Sequence, residues 1–426
     1  MPVQWLVLAA CSADPSPADA AWEPRWPDES GRHVMHRGMN VNNAAKRSED
    51  NLPGLADHEL DLLVSHGITL VRYLVFWHAV EPVEGEVDRA YLERVAEDIG
   101  RLTQRGLSVI VDMHQDIYGE GFGHAGMPRW TCEESLYESF QAPEGSWYLA
   151  YARPEVQECF DRFWASEALQ QAYAQAWAEV AAAVSEDPGV VAFEVMNEPF
   201  WGTLQSETFE QEVLPAFYTT VAGALPQGRL VVVEPSVSAN LTHESSLTLP
   251  EGDWVFAPHY YPVYAEEGTG WSGDFGEEEK HLRQWADQAD RLGLPLLVGE
   301  FGIFSDFGNE PDYVRALLET VGNEGGSAAY WSYDRNDSWG PLTSDGQAGA
   351  GLEGFSEPWL HRTPGPFVST DQGWRVTGTA VQANVEVVVP GACTPAGDWD
   401  SGRRVLSFPA PEAGEEVLIE VEACPS

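Results

Sequence analysis

The sequence is poor in positive charge: 23 Lys and Arg stand against 68 Asp and Glu, a formal net charge of −45 over 426 residues. A chain of that sign repels nucleic acid and anionic lipid at long range, so neither is an expected partner. The acidity points to solubility or a salty habitat, not to a site. Cysteine is scarce as well, with five in the chain. None stands in a Cys-x2-Cys arrangement, so no metal centre of that kind is expected. Internal repeats are absent, and low complexity is confined to a short N-terminal linker. The apolar run from Trp5 to Ala10 is far too short to cross a bilayer as a helix.

That run ends in Leu8-Ala-Ala-Cys11, which resembles the processing site of a bacterial lipoprotein signal, although no Lys or Arg precedes it. The expectation is an exported chain, secreted or held at the cell envelope through a lipidated Cys11. The other reading is an apolar tail with an incidental cysteine. The remaining cysteines, Cys132, Cys159, Cys393 and Cys424, form two local pairs. In an oxidising compartment, Cys132–Cys159 and Cys393–Cys424 are the economical pairing among three possible ones.

What is abundant is apolar and aromatic: 43% of residues are hydrophobic, and Trp alone numbers 17. Strand-length apolar runs alternate with amphipathic stretches, the pattern of βα units around a parallel sheet buried on both faces. The strand candidates are Gly38–Val41, Leu70–Trp77, Ser108–Gln115, Val190–Glu198, Leu230–Ser236, Trp254–Tyr261, Leu294–Gly302 and Ala328–Asp334. Helical patterns lie between them, as in Tyr91–Arg105, Ala168–Ser185, Phe209–Ala224, Glu278–Leu292 and Tyr313–Asn323. Eight such strands predict an α/β fold, a (β/α)8 TIM barrel. After about Gly354, short alternating segments (Arg375–Ala380, Asn384–Val389, Arg404–Phe408, Glu416–Glu422) predict a small antiparallel β-sandwich. The expected organisation is a signal and linker over 1–20, a catalytic barrel over 21–353 and the sandwich over 354–426.

One connection is too long for a barrel turn. Over 117–164 the chain wanders through Gly, Pro, Trp and Tyr, and such loops in compact domains are usually functional. Phe122, Trp130, Tyr137, Phe140, Trp147 and Tyr148 are candidates to wall a cleft, with packing of the insertion itself accounting for about half of them.

Polar residues gather at the C-terminal ends of the oily strands, where barrel active sites are built. The fourth ends in Asn197-Glu198-Pro199 and the seventh in Glu300-Phe301-Gly302. Two carboxyls facing each other across a cleft are what glycoside hydrolysis requires, one to protonate the leaving oxygen and one to attack the anomeric carbon or activate water. Spacing alone leaves retention and inversion open. Asn197 is placed to grip a sugar hydroxyl, Arg72 and Tyr261 to hold Glu300 ionised, and Trp331 to stack under a sugar ring. His114 shares the end of the third strand with Gln115 and Asp116.

This ordered series resembles glycoside hydrolase family five, in clan A, over roughly residues 38–334. The resemblance implies Glu198 as acid/base, Glu300 as nucleophile, retention of configuration and no cofactor or metal. It also implies that Arg72, His114, Asn197, His259, Tyr261 and Trp331 support the site. Gly38-Met-Asn-Val-Asn-Asn-Ala-Ala-Lys46, Leu74-Val-Phe-Trp77 with Glu81-Pro82, and Asp112-Met-His-Gln-Asp116 are similar to the endoglycoceramidase branch. That branch cleaves glycan from ceramide in glycosphingolipids, and the similarity implies Lys46 and Asp116 as ligands of the reducing-end sugar. The insertion after the third strand does not register cleanly against the branch pattern. A glycolipid is therefore the expected substrate, and a monomer the expected state. A β-glucosidase on glucosylceramide or steryl glucosides, or an endo-β-glucanase on polysaccharide, shares the same chemistry. A non-catalytic sugar-binding barrel is the reading from another class, and retention of both Glu198 and Glu300 argues against it.

Overall fold

The computed structural model describes residues 22–304, 308–335 and 338–421. Cys11 and Cys424 lie outside them, so the lipidation site and the second cysteine pairing fall outside the described residues.

Eight parallel strands form the barrel: Arg37–Val41, Leu70–Val75, Ser108–Met113, Val190–Glu194, Leu230–Val233, Trp254–Phe256, Leu297–Phe301 and Ser327–Tyr330. Neighbours pair in sequence order, and the eighth strand returns to the first, with Gly38 opposite Ala329. The sixth and seventh close the ring through bridges at Phe256–Leu296 and Tyr260–Phe301. Most of the strands stop a few residues before the end of the stretch expected from sequence. The polar residues that follow turn into the barrel mouth instead of continuing the ladder, and Glu198 does so with φ +43°.

Helices cover the barrel where the amphipathic patterns fall, among them Arg89–Thr103, Glu167–Val184, Gly276–Leu292 and Glu310–Asn323. Their ends carry the expected chemistry. Asp88 and Ser166 accept from the backbone amides of Tyr91 and Leu169, and Gly293 closes its helix at φ +70°. The expected Phe209–Ala224 helix starts with a π turn over Phe209–Val213 before continuing as Leu214–Ala222. Among the described residues no helix is long and apolar enough to cross a membrane.

The insertion is more ordered than a wandering loop. It contains the helices Glu134–Ser139 and Pro154–Ala165, tied by a disulfide between Cys132 and Cys159. Gly126 holds it against the third strand, because a Cβ there would sit 2.6 Å from Cβ of Gln115. Closing a 27-residue separation stabilises the folded chain by about 3 to 4 kcal/mol in the chain-entropy account. Because Trp147 and Tyr148 lie inside the closed loop and line the cavity described below, Cys132→Ser is expected to lower the Tm and raise KM more than it lowers kcat. Calorimetry and steady-state kinetics read both, and an unchanged KM would dissociate the bridge from the site.

The C-terminal region is a sandwich of two antiparallel sheets. Three strands, Phe367–Thr370, Gly373–Thr377 and Glu416–Ile419, form one sheet. The other has five, and its edge strand His33–Val34 comes from the N-terminal side of the barrel and pairs with Trp359–Thr363. Val385, Val387, Val388, Val389 and Val405, with Trp359 and Leu406, make its core. Arg37, at the start of the first barrel strand, lies 5.3 Å over the Trp359 ring and so joins the two units.

Candidate active site

All ten expected catalytic and substrate-binding residues meet at the C-terminal mouth of the barrel. The mouth opens into a cavity of about 710 Å³, lined among others by Lys46, Asp116, Asn197, Glu198, Tyr261, Glu300 and Trp331. Arg72, His114 and His259 do not line it. They stand behind the wall at 0%, 1% and 0% exposure, and act on the residues in front of them.

The centre is built around Arg72, which the second strand delivers into the barrel. Its Nη1 donates to Glu300 Oε1 at 2.6 Å, its Nε and Nη2 clasp the two oxygens of Glu194 at 2.7 and 2.8 Å, and Nη2 also reaches Asn197 Oδ1 at 2.9 Å. Tyr261 donates its hydroxyl to Glu300 Oε2 at 2.9 Å. Burial alone would raise the Glu300 carboxyl. His259 and Arg72, with His114 and Lys46 further off, outweigh it and hold Glu300 below the ordinary range, ionised at neutral pH.

Glu198 is held differently. Its Oε1 accepts from Asn240 Nδ2 at 2.7 Å and from His259 Nδ1 at 2.9 Å, while Gln115 Nε2 donates to its backbone carbonyl at 2.9 Å. Both side-chain donors use one oxygen, and neither holds Oε2. Polar side-chain atoms of Glu198, His259 and Glu300 all lie within 4.8 Å of one another. A spacing of that order is closer to the distance of about 5 to 5.5 Å at which retention works than to the roughly 6.5 Å or more that inversion needs. Glu194, Glu234 and His259 are equally close, but Arg72 already occupies Glu194 and Glu300 through charged hydrogen bonds, and a dication would have to displace it.

Lys46 and Asp116 pair at 2.8 Å at one end of the cavity. Burial opposes ionisation of Asp116, and Lys46 and His114 overcome it, so the carboxyl stays anionic. The Lys46 ammonium lies 4.0 Å over the Trp331 ring, and the His114 ring stacks on Trp331 at 5.5 Å. Trp331 therefore lines the cavity but is not a bare floor. His114 is oriented by Asp112 at 2.7 Å, and its Nε2 is buried without a hydrogen-bond partner. Asn197 gives one amide hydrogen to the Gln115 carbonyl at 3.0 Å.

Of the six insertion aromatics, only Trp147 and Tyr148 reach the cavity. Phe122 packs on Tyr137 and Phe140 at 4.9 Å each, and Trp130 stacks edge-on against Trp77 at 5.2 Å. Packing therefore claims four of them, more than the half expected. Sequence reasoning missed Asn240, Trp339, Glu194 and Glu234. The two glutamates were visible as acids near the ends of oily strands, the same signal that singled out Glu198 and Glu300.

The model of the cellulase family, glycosyl hydrolase family 5, matches residues 28–337. The chain belongs to that family. It is a glycoside hydrolase, with the carboxyl spacing of a retaining one. It is similar to endoglycoceramidase I of Rhodococcus hoagii, at 27% identity over 346 residues, covering 75% of this chain and 68% of that protein. Among solved structures it is similar to endo-glycoceramidase II from Rhodococcus sp. in complex with ganglioside GM3. The TM-score is 0.82 and the identity 28%, covering 93% of this chain and 98% of that one. The same enzyme's lactosyl-enzyme intermediate matches with TM-score 0.80 and 28% identity, over 91% and 97% of the two chains.

Proposed function

We propose that this hydrolase cleaves the bond between glycan and ceramide in glycosphingolipids, releasing the oligosaccharide whole. The observation that carries the reading is the two-ended cavity. Its inner end is polar and charged, with Lys46, Asp116, Asn197, Glu198 and Glu300. Its lip is oily and open to solvent: Trp147, Leu241 and Val263 are 45%, 63% and 61% exposed, beside Phe200 and Trp201. An amphiphile with a sugar head and a lipid tail matches both ends, whereas a polysaccharide has no use for an aliphatic lip. The likeness to the ganglioside-bound endo-glycoceramidase II over nearly the whole chain supports the same reading.

In this assignment the Glu300 carboxylate attacks the anomeric carbon while Glu198 gives its proton to the glycosidic oxygen. The ceramide leaves as a neutral alcohol and the glycan stays as an ester on Glu300. Glu198, now a carboxylate, takes a proton from water. The resulting nucleophile attacks the same carbon from the vacated face, freeing the oligosaccharide and restoring both side chains. Lys46 and Asp116 receive hydroxyls of the sugar.

The test is a panel of lactosylceramide, glucosylceramide, a steryl glucoside and cellulose oligomers, followed by mass spectrometry with Glu300→Gln as control. Intact lactose plus ceramide, absent in the control, is the expected result. Cleavage of cellulose oligomers alone would overturn the glycolipid reading and leave the chemistry in place.

A further inference from the structure

The catalytic assignment leaves a carboxyl of the buried centre without a role. Glu234, just past the end of the fifth barrel strand, is 1% exposed. Its Oε1 lies 3.3 Å from His259 Nε2, out of hydrogen-bond alignment, and 3.5 Å from Arg72 Nη2, the longest of the Arg72 contacts to a carboxylate. The titratable groups around it come from every neighbouring strand. Arg72 comes from the second, Asp112 from the third with His114 just past it, Glu194 from the fourth with Glu198 beyond it, His259 follows the sixth, and Glu300 comes from the seventh. Tyr218, on the covering helix, donates to the Glu234 backbone carbonyl at 2.7 Å.

A charge count shows what state this group must take. Arg72 serves Glu194, Asp112 and Glu300 at 2.7, 3.1 and 2.6 Å. Asp112 also engages His114 at 2.7 Å, and Glu198 and Glu300 engage His259 at 2.9 and 3.6 Å. With Glu198 holding the acid's proton, the guanidinium and the two imidazoliums, both raised above their ordinary range, balance the carboxylates of Asp112, Glu194 and Glu300. Lys46 and Asp116 balance each other. A further anion at Glu234 would be buried without a counter-charge, which is far costlier than keeping a proton.

We propose that Glu234 is a positioning residue held as a neutral carboxylic acid, sharing its proton with Glu194 beside Nε2 of His259, the three groups lying within 4.8 Å of one another, so that the imidazolium turns its charge on Glu198 and Glu300. The inference rests on the catalytic assignment of those two residues. Burial raises the Glu234 carboxyl well above its ordinary range against the pull of His259, and Glu194 pushes it the same way as burial. Burial works against charge on His259, and Glu234, Glu300 and Glu198 together raise it well above its ordinary value. An anionic Glu234 would instead draw the imidazolium to itself and weaken the field on the catalytic pair.

Two variants and one spectrum decide it. Gln copies a neutral acid, keeping a donor for Glu194 and an acceptor for His259, so Glu234→Gln is expected to keep kcat/KM within about threefold and its pH profile in place. Leu keeps neither, so Glu234→Leu is expected to move the alkaline limb down by about one pH unit, with KM unchanged, as His259 loses a stabiliser of its charge. In the resting wild-type protein at neutral pH, Glu234 is expected to contribute an infrared carbonyl band of a protonated carboxylic acid beside that of Glu198, so that Glu234→Gln loses one component and Glu198→Gln keeps it. A band unchanged by Glu234→Gln, or a Gln variant with a displaced pH profile, would establish an ionised Glu234 and overturn the proposal. The band is read without substrate. A wild-type protein inactive on every glycoside would refute the catalytic assignment separately.

Discussion

Glu300→Gln is expected to lower turnover of every β-glycoside substrate on the order of 10⁴- to 10⁶-fold, the range in which removal of a covalent nucleophile falls when the rest of a site is left standing. The amide has almost the shape of the carboxylate and leaves the cavity filled, so substrate should still bind. What it removes is the charge that Arg72 Nη1 and the Tyr261 hydroxyl are aimed at, 2.6 and 2.9 Å from its two oxygens. Neither Asp116 nor Glu194 takes its place, since Lys46 engages the first and Arg72 clasps both oxygens of the second. The same geometry fixes a sign for pH. His259 and Arg72 overcome burial to keep Glu300 ionised below the ordinary carboxylate range, so the acidic limb of kcat/KM should lie below that range. Tyr261→Phe removes one of the donors that favour the ionised form and should move that limb upward. A pH profile for wild type and Tyr261→Phe, with single-turnover kinetics for Glu300→Gln, measures all three. Near-normal turnover of Glu300→Gln would sink the nucleophile assignment.

The barrel was legible in the sequence because its strands are buried on both faces. A near-continuous apolar run such as Leu230–Val233, too short for a helix, fits only a sheet covered on both sides. The proposed catalytic pair was legible because two acids interrupt such runs at corresponding ends. What stayed hidden depends on long-range partners. Asn240 sits in a short helical turn, Ala239–Thr242, in a polar stretch, and nothing local marks it as the residue that donates to Glu198, 42 positions earlier. The strand His33–Val34 is two residues long, too short to carry a period, and its partner is the distant Trp359–Thr363. Four of the six insertion aromatics pack on each other or on the barrel, a distinction that composition does not carry because a cleft wall and a small core use the same side chains.

Glu198→Ala should have the second-largest effect, and its size should depend on the leaving group. General acid catalysis contributes about 10²- to 10⁴-fold, and it matters in proportion to how badly the departing oxygen needs a proton. A ceramide leaves as a simple alcohol, so glycolipid cleavage should fall by that full factor. A nitrophenolate departs without help, so the first step on an activated aryl glycoside should be nearly unchanged. The second step still lacks its base, and such a substrate should therefore give a rapid burst of phenolate followed by slow turnover. The geometry around Glu198 adds a condition. Asn240 and His259 both donate to Oε1, so Oε2 is the oxygen left to carry the proton. Alanine leaves a gap there of carboxylate size, bordered by those two donors. A small anion such as azide fits that gap, needs no base, and should restore the second step by giving a glycosyl azide with the substrate's own anomeric configuration. Stopped-flow release of phenolate and analysis of the azide product test the sequence of events. Equal losses on lipid and aryl substrates, with no burst and no rescue, would remove Glu198 from the acid/base role and leave its two donors without a chemical purpose.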